Sequence, residues 1–357
     1  MSIIASVYGV LGAHRYPQGE ITASFAKIVS PKGDEIPVIN RIHKATEVEY
    51  RSLALPLDAY LELDSFQACN DAFVRIGLEL GAKAIVSALA DAGLSASDVD
   101  YVMATSVTGV ATPSLEARLI PIVGFRSDVK RVPIFGLGCV AGAAGIARVH
   151  DYLMGHPDDV AVLLSVELCS LTLQSDDVSM ANIVASGLFG DGAAAVVMVG
   201  ERRAKLMGIK GPRVISSRSR MYPDTEEMMA WNIGGSGFRI VLSASISDVI
   251  LENLGQDVGE FLSDHGLKTT DIEQWVCHTG GPKVLLAIQE SLKLSDGQLD
   301  ASWRSLAESG NLSSSSVLHI LRDVLAGDGE ERPAPGTPGV VLAMGPGFCA
   351  ELVLLEW

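Results

Sequence analysis

The chain has 357 residues, of which 48% are hydrophobic and 20% charged, enough for a large buried core or two fused half-domains. Its 43 acidic and 27 basic residues give a formal net charge of −16, which argues against nucleic acid or an anionic membrane surface as a bulk partner. No apolar run approaches the roughly 20 residues of a membrane span, and the start lacks a signal-peptide pattern, so we expect a cytoplasmic protein.

The five cysteines are odd in number and include no CxxC pair. This pattern fits neither a disulfide framework nor a zinc ribbon, so we expect free thiols and no metal site.

In chain order, amphipathic helical patterns alternate with apolar strands, with Gly or Pro between them, which predicts an α/β fold. The elements that carry the argument are a helix at 73–90, a strand from 131 that breaks at glycine before Cys139, a strand at 159–168, a helix at 245–262, a strand at 273–277, a helix after the serine-rich turn near 313, and a strand at 339–348.

Two segments repeat one pattern. "DAGLSASDVD" begins at residue 91 and "DHGLKTTDIE" at residue 264, each after a helix-length run and before an apolar strand. A helix cap followed by a strand can produce a similar sequence pattern without any duplication. The same offset, however, also places Cys139 against Leu312 and, with a few residues of slippage, 159–168 against 339–348.

We therefore expect two copies of one unit, residues 1–205 and 206–357, related by a pseudo-twofold axis. Equivalent helix N-termini meet near such an axis, so Cys139 is expected to lie beside the turn from Asn311 to Ser313.

Three side chains then form a candidate site. Cys139 at a helix N-terminus gains partial positive charge that favours its thiolate. His278 stands at the carboxyl end of a strand, where catalytic groups of α/β folds gather. His278 and the Asn311 amide can both donate to a developing oxyanion. The structural alternatives are a buried thiol, a core histidine and a helix-capping asparagine.

Five motifs in this order carry a family resemblance: "GLGCVAGAAG", "LFGDGAAAVV", "HTGGPKV", "SGNLSSSSV" and "AMGPGF". Together they resemble the type III polyketide synthases, the chalcone synthase-like branch of the thiolase superfamily, in its bacterial form. The resemblance implies a five-layered αβαβα thiolase fold, a homodimer, no acyl carrier protein and no bound cofactor. It also implies a triad of Cys139, His278 and Asn311, flanked by Phe189 and Phe238.

The resemblance further implies the reaction. Cys139 accepts an acyl group from a CoA thioester, malonyl-CoA loses CO2 to an enolate stabilised by His278 and Asn311, and the carbanion attacks the thioester repeatedly. Arg51 and Lys283 are candidate cations for CoA at the entrance, and Thr112 and Cys169 are candidate cavity residues. The full set expected to contact substrate is Phe189, Phe238, Thr112, Cys169, Ser313, Arg51 and Lys283.

Departures from the plant pattern bear on the starter. "CSL" at 169–171 resembles bacterial members, and small residues there favour a fatty acyl-CoA starter extended to an alkylpyrone or alkylresorcinol, with Met228, Met229 and Trp231 as apolar lining. The alternative within the family is a tetrahydroxynaphthalene-type synthase that uses malonyl-CoA as its starter. Outside the family, the alternatives are a ketoacyl-ACP synthase III-like enzyme that catalyses one condensation, a thiol hydrolase, and an acyl-binding protein without catalytic activity.

Overall fold

Strands and helices alternate along the chain, as the sequence predicts. The computed structural model describes residues 1–30, 32–327 and 333–357. The strands are β1 (Ser2–Leu11), β2 (His14–Pro17), β3 (Tyr50–Leu53), β4 (Tyr101–Thr105), β5 (Lys130–Ile134), β6 (Val160–Leu168), β7 (Asp191–Gly200), β8 (Arg213–Met221), β9 (Met229–Gly234), β10 (Gly237–Leu242), β11 (Gln274–Cys277), β12 (Pro338–Gly345) and β13 (Cys349–Glu356).

The helices are α1 (Gln18–Val29), α2 (Ile36–Lys44), α3 (Phe66–Asp91), α4 (Leu115–Val123), α5 (Ala141–Gly155), α6 (Met180–Leu188), α7 (Glu201–Met207), α8 (Ile246–Ser263), α9 (Pro282–Leu292), α10 (Asp300–Ser309) and α11 (Ser316–Ala326). Among these described segments, none is both long and apolar enough to cross a membrane.

The strand order confirms the internal duplication. Nine strands lie side by side in the order β11-β12-β13-β8-β1-β7-β6-β4-β5. In the run β4-β6-β7-β1 the first pair is parallel and the next two are antiparallel, and the run β11-β12-β13-β8 has the same pattern. The two runs join where Ser2 and Ile3 pair with Val214 and Arg213. The boundary between 1–205 and 206–357 falls inside α7 and stays a prediction.

The core is divided into layers. One cluster packs α3 against the outer face of the run that contains β4, β6 and β7, and another packs α8 and α9 against the outer face of β11, β12 and β13. Between the two runs lie α5 and α11, whose apolar side chains contact strands of both. Helix, sheet, helices, sheet and helix thus form the five layers of the predicted αβαβα fold.

Close contact between the two inner helices positions the site. A Cβ added to Gly142 would lie 2.3 Å from the carbonyl oxygen of Ser314, so the start of α5 approaches the turn before α11 more closely than any larger residue permits. The expected meeting of equivalent helix N-termini is therefore present.

Candidate active site

Cys139 lies on the tight turn Gly138–Val140 that leads into α5. Its thiol is buried and makes a hydrogen bond to the Ser313 hydroxyl, with Sγ and Oγ 3.5 Å apart. Burial raises the pKa of the thiol to about 12, although the hydrogen bond with Ser313 acts in the opposite direction. Desolvation of the thiol therefore opposes the thiolate that the helix N-terminus is expected to favour.

His278 follows directly after β11, as predicted, and its backbone N–H donates to the carbonyl oxygen of Leu342 at 2.8 Å. The imidazole is buried, and neither ring nitrogen has a hydrogen-bond partner among the described residues. Burial lowers the pKa of His278 to about 4, so the ring is neutral at pH 7. Two unpartnered nitrogens in a cavity wall suit a group that exchanges or donates protons to a ligand.

Asn311 is fixed by backbone and side chain together. Its N–H donates to the carbonyl of Leu188, and its carbonyl accepts from Gly190. The side-chain Oδ1 accepts from the backbone N–H of Ser313 at 2.8 Å and from the Ser316 hydroxyl at 3.3 Å. The oxygen of the carboxamide is thus engaged in the turn before α11, which leaves the Nδ2 group for another partner. The capping and oxyanion roles are therefore compatible.

One cavity joins these groups. Its empty space, part of which is open to solvent, is about 1050 Å³, and Cys139, His278 and Asn311 all line it. The other predicted residues that line it are Phe189, Cys169, Ser313 and Arg51, together with Met229 and Trp231 of β9. Phe189 directly follows α6, and its backbone forms an isolated β-bridge with the backbone of Asn311. This backbone pairing holds the two residues that carry the aromatic ring and the carboxamide next to each other.

Four predicted residues lie outside this wall: Met228, Phe238, Thr112 and Lys283. Phe238 is buried behind it and packs edge-on against Phe66 and at 5.8 Å from the ring of Trp231, which does line the cavity. Thr112 is exposed on the loop before α4, and Lys283 is exposed near the start of α9. Lys283 as a CoA contact and Thr112 as a cavity residue stay predictions.

Arg51 is placed differently from the expectation. It is 0% exposed, on β3, with Nε donating to Gln18 Oε1 and one terminal nitrogen donating to the carbonyl of Phe189. A guanidinium held inside the protein does not offer an entrance charge to CoA phosphates. The spacing of the motif gave its position in the chain but not the direction of its side chain.

Glu167 is a site residue that sequence reasoning missed. It is the next-to-last residue of the buried strand β6, and its carboxyl group contacts the hydroxyls of Ser313, Ser314 and Thr108. Burial raises the pKa of Glu167 to about 7, against the lowering effect of these hydrogen bonds. Its hydrogen bond with Ser313 links a buried carboxyl group to the Cys139 thiol. A single acidic residue at the end of the apolar run "VAVLLSVEL" was the available signal.

Comparison with known proteins identifies the family of the chain. Residues 70–208 match the family described as FAE1/Type III polyketide synthase-like protein, and residues 213–356 match the C-terminal domain of chalcone and stilbene synthases. The chain is 54% identical to a 1,3,6,8-tetrahydroxynaphthalene synthase of Streptomyces peucetius subsp. caesius over 99% of this chain and 93% of that protein. It is 32% identical to a putative chalcone synthase of Bacillus subtilis, over 100% and 99% of the two chains.

Solved structures give the same assignment. The crystal structure of 1,3,6,8-tetrahydroxynaphthalene synthase from Streptomyces coelicolor A3(2) superposes with a TM-score of 0.92 at 30% identity and covers 99% of each chain. PKS-I from the brown alga Ectocarpus siliculosus also gives 0.92, at 25% identity over 99% and 98% of the two chains. The chain thus belongs to the type III polyketide synthases, a family of acyltransferase-type condensing enzymes with the thiolase fold.

Proposed function

We propose that this enzyme condenses malonyl-CoA units, using malonyl-CoA as both starter and extender, and releases a product of the tetrahydroxynaphthalene type. The observation that carries the proposal is the 54% identity, over nearly the whole of both chains, to a protein named 1,3,6,8-tetrahydroxynaphthalene synthase. A naphthalene skeleton can be assembled wholly from two-carbon units, which is what malonyl-CoA supplies after it loses CO2.

Loading begins with a neutral pair. Because burial raises the pKa of Cys139 and lowers that of His278, the thiol holds the proton and the imidazole is free to accept it. Transfer of this proton gives a thiolate that attacks the acyl-CoA carbonyl. The CoA thiolate leaves with the proton that His278 held, and the acyl group stays on Cys139 as a thioester.

Extension needs stabilisation of an enolate. When malonyl-CoA loses CO2, the electron pair of the broken carbon–carbon bond moves onto the thioester oxygen. In this proposal the His278 N–H and the Asn311 Nδ2 group donate to that oxygen. The carbanion then forms a bond to the carbonyl carbon on Cys139 and expels the Cys139 thiolate, and the lengthened chain returns to Cys139 for the next round.

Phe189 contributes an apolar surface to the same step. Phe189 lines the cavity and packs against the cluster that contains Leu188 and Leu285, while its backbone pairs with Asn311. An apolar face beside the malonyl carboxylate favours release of neutral CO2 over retention of the ion.

The fatty acyl-CoA starter has less support than this alternative. Several of the matched proteins are named tetrahydroxynaphthalene synthases. The cavity wall also includes Arg51 and His278, whose Nη2 and two ring nitrogens have no hydrogen-bond partner among the described residues and would stay unpaired against a saturated chain. A poly-β-keto chain carries an oxygen at every second carbon and can satisfy such groups.

We also propose that the enzyme acts as a homodimer through the region of β5. Among the described strands this one is at the end of the sheet and pairs with β4, and Val132 within it and Phe135 just after it are 37% and 49% exposed. Val110, on the neighbouring loop, is 42% exposed, and Thr112 lies close to it in sequence. Exposed apolar side chains grouped in this way are typical of a protein interface.

The starter is tested with purified enzyme and malonyl-CoA as the only acyl thioester, with Cys139→Ala as the inactive control. We expect an aromatic product built from malonyl units alone, identified by mass spectrometry with labelled malonyl-CoA. A wild-type enzyme that makes product only when a long-chain acyl-CoA is added would contradict the proposal and restore the fatty acyl starter.

A further inference from the structure

Arg51 is a buried cation in the cavity wall whose hydrogen bonds are incomplete. Nε and one terminal nitrogen donate to Gln18 and to the Phe189 carbonyl, at 2.9 and 2.7 Å. The other terminal nitrogen, Nη2, is buried and has no hydrogen-bond partner in the described ranges. Buried donors are normally paired, and an unpaired one is costly, all the more on a charged group.

The nearby carboxylate of Asp191 does not supply the missing hydrogen-bond acceptor for Arg51. Asp191 is the carboxylate that acts most strongly on the pKa of this guanidinium after the effect of burial. Its oxygens, however, accept from the backbone N–H groups of Ala54 and Ser170 and from the Ser170 hydroxyl. Asp191 thus offsets the charge at a distance and leaves the Nη2 donors for another acceptor.

The position of Arg51 places it near the reacting groups. A Cβ added to Gly310 would lie 3.1 Å from Arg51 Cδ, so the arginine stem passes beside the residue that precedes Asn311. Arg51 lines the same cavity as Cys139, with Cys169 and Ser170 also in that wall. A chain bound to Cys139 and folded into this cavity would share its space with the guanidinium.

We propose that Arg51 binds a carbonyl or enolate oxygen of the poly-β-keto chain while it grows on Cys139, a role that rests on the function proposed above. The guanidinium acts there as a specificity-determining group for chain length. It holds an oxygenated intermediate in the cavity for further extension, because release of that intermediate leaves a buried N–H group unpaired. A saturated alkyl chain offers it no acceptor.

Arg51→Lys is the main test. Lysine keeps the charge, but its single nitrogen has no planar fork and cannot serve the Phe189 carbonyl and a second oxygen in the same way. Arg51→Met removes the charge as well. Arg148→Lys is the matched control, since Arg148 pairs with Asp151 and Glu351 outside the cavity wall. Thermal unfolding checks that each variant is folded.

Two readouts separate substrate binding from support of the site. One is the rate of malonyl-CoA decarboxylation, which depends on the Phe189–Asn311 segment. The other is the ratio of full-length to shorter released products, together with the mass of intermediates trapped on Cys139. In Arg51→Lys we expect a fall of about ten-fold in the full-length ratio, larger than any fall in the rate of decarboxylation, and short intermediates on Cys139.

Other outcomes would overturn the inference. An unchanged product ratio in Arg51→Lys would mean that Nη2 meets only water. A parallel loss of decarboxylation and of all products, with their ratio unchanged, would mean that Arg51 only positions Phe189. If Arg51→Lys does not fold, Arg51→Met is judged by the same ratio.

A wrong assignment of the starter and a wrong role for Arg51 give different experimental results. If the wild type extends an added acyl-CoA but makes nothing from malonyl-CoA alone, the proposed starter is wrong. The effect of Arg51 is then measured with that acyl-CoA, because its extended chain also carries keto oxygens. A wild type that extends no starter would overturn both proposals.

Discussion

The thiol of Cys139 lies 3.5 Å from the hydroxyl of Ser313, although 174 residues separate them in the chain. Each belongs to the turn that begins an inner helix, α5 or α11, and the two turns are related by the internal duplication. Ser313 also contacts Glu167, so a buried hydrogen-bond path runs from the thiol to a carboxyl group. The duplicated topology is what brings these groups together.

Cys139 is expected to be the residue that carries the acyl chain. Cys139→Ala should abolish acyl-enzyme formation in intact-protein mass spectrometry. Cys169→Ser is the matched control, because Cys169 is also buried and lines the same cavity. Acylation that persists in Cys139→Ala and disappears in Cys169→Ser would reassign the nucleophile.

Asn311→Asp tests the oxyanion role. Aspartate keeps an oxygen for the Ser313 N–H and the Ser316 hydroxyl, so the turn before α11 should persist. It removes the Nδ2 donor and adds negative charge beside a developing enolate. We expect malonyl-CoA decarboxylation to fall about 10²- to 10³-fold while Cys139 is still acylated.

Wild-type decarboxylation in Asn311→Asp would show that the carboxamide is structural. Asn311→Ala provides the comparison, because it removes the turn contacts as well as the donor. A larger loss of thermal stability in Asn311→Ala than in Asn311→Asp is expected for that reason.

His278 should make the stability of the protein depend on pH. Its folded pKa is about 4, below the ordinary value of 6.5, because burial disfavours the charged ring. The unfolded chain therefore binds a proton that the folded protein does not, between about pH 6.5 and pH 4. Over that window the free energy of unfolding should fall by about 3 kcal/mol more in the wild type than in His278→Gln.

Urea unfolding of both proteins from pH 7 to pH 4 measures this difference. Other buried groups titrate in the same range, but they are common to both proteins and cancel in the comparison. Parallel stability curves for the wild type and His278→Gln would contradict a neutral, buried imidazole.

Cys169 is expected to limit the space for the growing chain. Cys169→Phe should shift products toward fewer extensions, with starter loading intact, because a packed wall has no slack for a larger side chain. Cys169→Ser, which hardly changes the volume, is the control. An unchanged product distribution in Cys169→Phe would remove this residue from the part of the wall that meets the chain.

The β5 region should determine the oligomeric state. Val132→Asp places a charge in the exposed apolar group beside that strand, and sedimentation should show a shift from dimer toward monomer. Leu206→Asp is the control, since Leu206 is 81% exposed on α7, which packs against β1 and β7. A wild-type monomer, or a Val132→Asp dimer of unchanged stability, would contradict the interface.

The sequence by itself determined the α/β class, the duplication and the chain positions of Cys139, His278 and Asn311. Strand and helix periodicity and glycine breaks are local properties, and the repeat offset carries them from one half to the other. The predicted helix at 245–262 lies within one residue of α8, and the predicted strand at 159–168 is β6 with one additional residue at its start. These features depend on residues close together in the chain, and the order of those residues is read directly from the sequence.

Only the tertiary structure decided where side chains point and how water is excluded. Arg51 was expected at the entrance and is buried against Phe189, because the direction of a strand residue depends on what packs on each face. The thiolate expected for Cys139 is opposed by burial, a quantity that no local pattern contains. Glu167 joins the site through Ser313, a contact between residues 146 positions apart that the packing of β6 against the turn before α11 creates.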